Sequence, residues 1–204
     1  MPARADPPGH DLAGHVLAAA SAYGPDNVEL EWRLGHRQGG FRPGVNAAAW
    51  DKLRAALDAS PAFTKACRES REALGEPAGL KCVADAGVTT WQLKKRLADV
   101  DTEAPSGPWS VRASVSYESA ANPPTAPFEA RYERIKRRWS YRHRCWSIDL
   151  TRVRSNVPSQ LDADEEALEV EIELVDKDMI FERPVRHVVE WGYKLAADVC
   201  ELMA

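Results

Sequence analysis

Leu168-Glu169-Val170-Glu171-Ile172-Glu173-Leu174 alternates carboxylate and apolar side chains with a period of two, the repeat of a β-strand that has one acidic and one apolar face. A helix would scatter the three glutamates around its circumference. VELEWRL at 28–34 has the same parity: Glu29 and Glu31 share a face, roughly 7 Å apart along an extended backbone, with Val28, Leu30 and Trp32 opposite. In ARYERIKRRWSYRH at 130–143 the sign is reversed, since Arg134, Lys136 and Arg138 share one face and are followed on it by Ser140 and Arg142. Lys94 and Arg96, then Arg112, Ser114, Ser116 and Glu118, then Asp149 and Thr151 form further polar rows.

Around these stretches the chain is read as strands at 28–34, 89–97, 109–117, 130–143, 145–153 and 168–175, joined by loops at PSGP (105–108) and NPPTAP (122–127) and by a solvated turn in LDADEE (161–166). Helices are expected at 10–22, at 45–57 after the glycine-rich loop GHRQGGFRPG, and at 185–203 behind Pro184. Residues 1–9, with three prolines and a glycine, are expected to be a disordered lead-in to a single domain at 10–204. The segment 60–86 reads as a helix on propensity or as two short strands in tertiary context, and the sequence leaves it open. Sequential strands with little helix between them give the α+β class with a large antiparallel sheet.

With 204 residues, 44% hydrophobic and 28% charged, the chain is long and apolar enough to bury its own core. A formal net charge of -4 leaves no overall basic excess for holding long nucleic acid, so any polyanion must be met locally. Cys67, Cys82, Cys145 and Cys200 have no CxxC spacing, which argues for reduced thiols and against a zinc site. The first residues are too interrupted for a signal peptide, and no segment reaches the ~18 apolar residues of a membrane span. A protein that is neither secreted nor membrane-bound is expected.

Alternating charged rows most often mean a sheet with its polar face in water. Two features favour a different arrangement. Whole strands here carry one sign, as if facing one another across a space, and three amphipathic helices are available to cover apolar rows from outside. A barrel that is polar within and helix-coated without uses both. Carboxylates confined together repel unless neutralised, and a hard divalent cation with oxygen ligands is the usual neutraliser. Facing arginines and lysines suit phosphoryl oxygens, so Mg²⁺ or Mn²⁺ beside a basic cradle points to phosphoryl transfer to water.

VELEWRLG, ERIKRRWSY, WSIDLTRV and LEVEIEL, in this order, resemble the motifs of the metal-dependent RNA 5′-triphosphatases of mRNA capping in fungi, protists and large DNA viruses, which are triphosphate tunnel metalloenzymes. The resemblance runs from about Val28 to Leu174 and implies an eight-stranded antiparallel β-barrel with helices packed outside. It implies Glu29, Glu31 and Glu173 as metal ligands, with Glu169 and Glu171 completing the acidic row. Lys136 and Arg138 match the residues on the γ-phosphate, with Arg134 beside them, and Glu118 matches the carboxylate beside the attacking water. Lys94, Asp149 and Thr151 match further tunnel positions, Arg112 in its polar row is a candidate substrate contact, and Lys81 is the candidate for a phosphate contact on an earlier strand. Ser147 stands where the family often has a basic residue, with Arg144 or Arg152 as candidate replacements.

The expected activity is hydrolysis of the γ-phosphate of triphosphate-ended RNA, with nucleoside triphosphates also accepted. The expected partners are an mRNA guanylyltransferase and RNA polymerase, and a homodimer is allowed for. A nuclear site in a eukaryotic cell or a virus-encoded intracellular one would follow. Two other readings remain: a triphosphatase acting on inorganic, thiamine or nucleoside triphosphates, and a non-catalytic phosphate-binding module. His143 is read as a surface histidine, Cys145 as a small apolar residue and the seven tryptophans as packing residues.

Overall fold

The computed structural model describes residues 10–76, 79–156 and 166–204. The expected lead-in at 1–9 and all but Glu166 of the expected turn at 161–166 lie outside them. Nine strands form one sheet: β1 (Val28–Arg37), β2 (Phe41–Pro43), β3 (Thr64–Gly75), β4 (Leu80–Asp85), β5 (Val88–Glu103), β6 (Ser110–Ala121), β7 (Ala130–His143), β8 (Trp146–Asn156) and β9 (Ala167–Leu174). Their order is β2-β1-β6-β5-β4-β3-β7-β8-β9, and β1 also pairs with β9, so every strand but β2 belongs to a closed antiparallel barrel of eight. Closure leaves only β2, a short flap on β1, with a free edge.

Among the described residues four α-helices accompany the barrel: α1 (His10–Tyr23), α2 (Ala47–Ala59), α3 (Met179–Glu182) and α4 (Val185–Met203). α2 starts two residues later than the sequence suggests, because the Asn46 side chain accepts a hydrogen bond from the Ala49 backbone N–H (2.9 Å) and so fixes the first turn. The helices lie outside the barrel, and the core is the layer between them and the outer faces of β1, β6, β8 and β9. Trp32 is fully buried there, edge-on to Trp146 and Tyr193, with Gly192 of α4 against its ring. A Cβ at Gly192 would overlap that ring, so glycine is what allows the helix to dock so closely.

Coverage is one-sided. Trp139 and Tyr141 at the far end of β7 pack under α2, whereas the outer faces of β3, β4 and the first half of β7 have no helix over them, and Ile135 and Val88 are exposed. This explains the ambiguous segment at 60–86. β3 presents Arg68, Ser70 and Glu72 inward and Cys67, Glu69 and Arg71 outward, so both faces are polar and no alternation appears in the sequence. The turn to β5 runs through Ala86 and Gly87, both at positive φ. β5 extends to Glu103, beyond the expected end at 97, because Leu97 is an extra residue between the Arg96 and Ala98 pairings. That bulge reverses the parity and turns Asp99 and Asp101 toward the interior.

Among the described residues no helix is long and apolar enough to cross a membrane. The four cysteines are free.

Candidate active site

The polar rows face inward and enclose a cavity of about 230 Å³. Glu29, Glu31, Glu171, Glu173, Glu118, Lys81, Lys94, Lys136 and Arg138 all line it, so nine residues singled out from the sequence meet in one space. The strand pairing explains why. Glu31 lies opposite Glu173 and Arg33 opposite Glu171 on β1 and β9, and Lys94 lies opposite Glu118 on β5 and β6.

Charge within the cavity is divided between two clusters. In the first, the Lys94 ammonium lies against Glu29, 4.0 Å from Glu31 and 3.7 Å from Glu118. Burial, then the neighbouring Glu29 carboxylate, pushes the Glu31 carboxyl up to about 7. Burial also raises Glu173. The Lys94 ammonium is held above its ordinary range because Glu31 and Glu29 outweigh its own desolvation. In the second cluster, Arg138 donates to Asp149 and Glu171, each at 3.0 Å, and its Nε donates to Thr151 Oγ1 at 3.2 Å. Arg33 bridges Glu171 (2.9 Å) and Glu31 (3.2 Å). Burial alone would raise Glu171, but Arg33 and Arg138 hold it well below the usual carboxylate range.

Of the remaining candidates, Arg134 pairs with Glu169, and Arg112 makes a forked contact to Asp101 at 2.7 and 2.8 Å. Ser147 donates to Asp149 at 2.6 Å. Neither suggested replacement for a basic residue at that place reaches the bore. Arg144 is exposed in the turn before β8, and Arg152 lies on the outer face against the Trp50 ring. Parity requires this, since 152 falls on the opposite face of β8 from Asp149 and Thr151. His143 is exposed at the end of β7, as expected.

Several interior residues were not singled out in the sequence. Glu72 is buried, with the Lys136 ammonium at 2.8 Å and Lys81 at 3.9 Å. Arg68 pairs with Asp85 at 2.8 Å, and Asp99 accepts from Ser114 at 2.7 Å. Arg33 follows Glu29 and Glu31 on the inner row of β1 and is a further interior residue. The signal for β3 and β4 was the Asp85-Ala86-Gly87 turn, which marks a hairpin with polar strands on either side.

The donor set facing Lys94 is entirely carboxylate oxygen, and Glu31 Oε1 is buried without a hydrogen-bond partner. Such a cluster suits a hard divalent cation. Among the described residues no three acidic, histidine or cysteine side chains are already gathered as a cation cage, and the Lys94 ammonium lies among these carboxylates.

Residues 83–190 match the family described as the mRNA capping enzyme, beta chain. The chain is 31% identical over 175 residues to the 5′ RNA triphosphatase A449R of Paramecium bursaria Chlorella virus 1, covering 84% of this chain and 88% of that protein. Its fold is similar to the RNA triphosphatase Pct1 of S. pombe (TM-score 0.74, 16% identity, 96% and 94% of the two chains covered). It is also similar to the Mimivirus capping enzyme triphosphatase (TM-score 0.60, 13% identity, 96% and 98% covered).

Proposed function

This chain belongs to the mRNA capping enzyme beta-chain family, and from that membership we infer that it is an RNA 5′-triphosphatase of mRNA capping. Water attacks the γ-phosphorus of a triphosphate-ended RNA, the bond to the β-phosphate oxygen breaks, and inorganic phosphate leaves an RNA with a 5′-diphosphate end. The observation that carries this reading at the level of the site is the meeting of Lys136 and Arg138 with Glu29, Glu31, Glu171 and Glu173 around one cavity. A dense cationic cradle beside an acidic wall suits a terminal phosphoryl group.

Lys136 offers a point charge and Arg138 a planar fork to the γ-phosphoryl oxygens. Glu72, Asp149 and Glu171 hold these two cations in place, which lowers the reorganisation needed as the transferring group gathers charge. Glu118 accepts a hydrogen bond from the attacking water, with the Lys94 ammonium 3.7 Å from its carboxylate. Glu29, Glu31 and Glu173 are the residues that would hold Mg²⁺ or Mn²⁺, which when bound neutralises phosphoryl oxygens and relieves the repulsion among these carboxylates. Nucleoside triphosphates share the triphosphate group and fit the same cradle. The product is the substrate of guanylyl transfer, so an mRNA guanylyltransferase acting at the polymerase is the expected partner.

The test compares kcat/KM for a triphosphate-ended dinucleotide, ATP, inorganic triphosphate and thiamine triphosphate. Preference for the dinucleotide supports capping. A strong preference for inorganic or thiamine triphosphate would leave the fold intact and overturn the role.

A further inference from the structure

Beside the central cavity lies a second one of about 510 Å³ at one end of the barrel, where β3 and β8 begin and β7 and β9 end. The two share Arg68, Arg138 and Glu173 in their walls, so they adjoin. Size distinguishes them. Organic ligands occupy pockets of roughly 300–1,000 Å³, which the outer chamber satisfies and the inner one, at about 230 Å³, does not. The inner cavity suits phosphoryl groups alone.

The lining differs as well. Thr64, Ser140 and Ser147 supply hydroxyls and Arg142 supplies a guanidinium group, beside the Asp149 and Glu173 carboxylates and an Arg68 that is paired with Asp85. Arg142 is exposed and, among the described residues, has no part in the ion pairs that engage the inner arginines. Among the described residues no aromatic side chain lines this chamber. At the opposite end, where β6, β7 and β9 begin and β5 ends, Arg112 and Arg134 are paired with Asp101 and Glu169, and Arg33 next to them is paired with Glu171. Phosphates arriving from that side would meet cations already neutralised.

We propose that the outer chamber is the subsite for the first nucleoside of the RNA, and that the transcript therefore enters at the β7–β8 hairpin end with its γ-phosphate leading. This rests on the triphosphatase reading above. Hydroxyl side chains meet the ribose, and Arg142 meets the phosphodiester that follows it. With no ring to stack a base and no amide to read its edge, the chamber recognises sugar and phosphate but does not discriminate among bases.

The experiment measures KM for triphosphate-ended dinucleotides carrying each of the four first bases, and the inhibition constant of inorganic triphosphate against them, in wild type, Arg142→Glu and Arg37→Glu. Arg37 is an exposed arginine at the opposite end of the barrel, at the end of β1. Arg142→Glu is expected to raise the dinucleotide KM about tenfold while changing the inhibition constant of inorganic triphosphate less than about threefold. Arg37→Glu is expected to change neither, and the four bases are expected to agree within about threefold. Equal weakening of RNA and inorganic triphosphate by Arg142→Glu, a selective loss in Arg37→Glu instead, or a more than tenfold separation of the bases would overturn the proposal. A wild-type chain that hydrolyses none of the dinucleotides would overturn the triphosphatase reading itself.

Discussion

The Lys136 ammonium sits 2.8 Å from the Glu72 carboxylate, on a strand whose sequence gives no sign of facing a bore. Burial depresses the Lys136 pKa, and Glu72 is the leading contribution opposing it. Lys136 must be protonated to meet a phosphate, so Glu72→Gln should move the alkaline limb of the kcat/KM profile to lower pH and reduce kcat/KM at pH 8 by about tenfold. An unchanged alkaline limb would mean that Glu72 does not hold the Lys136 charge.

Glu31 carries the opposite load. Its folded-state pKa, pushed up to about 7, lies above the ordinary 4.5, so between these values the folded state binds more protons than the unfolded one. Stability is therefore lost as pH rises through that window in the absence of divalent cations. Glu31→Gln should abolish this loss, giving a Tm at pH 8 equal to or above wild type, while turnover falls by on the order of 10²-fold. An unfolded variant would make the acidic row structural.

Arg138 contacts Asp149, Glu171 and Thr151 at once, each through a different nitrogen of its planar fork. Arg138→Ala should abolish hydrolysis, and Arg138→Lys should leave kcat/KM about tenfold or more below wild type. Full activity in either variant would place this row outside the substrate's path.

The sequence made β1 and β9 legible because each has one charged and one apolar row, with the apolar rows under helices. β7 was legible from its basic row alone, since Arg131, Glu133 and Arg137 lie on its outer face. β3 was illegible for the converse reason: with no helix over its outer face, both of its rows are polar, and Glu72 could not be told from a solvated glutamate. Asp99 and Asp101 were hidden by a single inserted residue, Leu97, since counting by twos from Lys94 puts Ala98 and Val100 inside. Arg152 shows the limit of proximity in sequence: it neighbours Thr151, yet parity sends it to the outer face.

A local conflict in the fold offers an independent check. Ala86 adopts φ +47° in the turn between β4 and β5, a conformation that asparagine tolerates better. Ala86→Asn should stabilise the protein by about 0.5–1 kcal/mol without altering kcat, measured by urea unfolding and phosphate release.

In the proposed function one charged bore removes the terminal phosphate of RNA, and Glu29, Glu31 and Glu173 would hold the divalent cation that assists. The most direct measurement resolves the products of γ-labelled triphosphate RNA incubated with the protein in Mg²⁺, in Mn²⁺ and in excess chelator. Labelled inorganic phosphate and an RNA with a 5′-diphosphate end are predicted with either metal, and neither product in chelator. Release of pyrophosphate, internal cleavage of the RNA, or undiminished phosphate release in chelator would contradict the account.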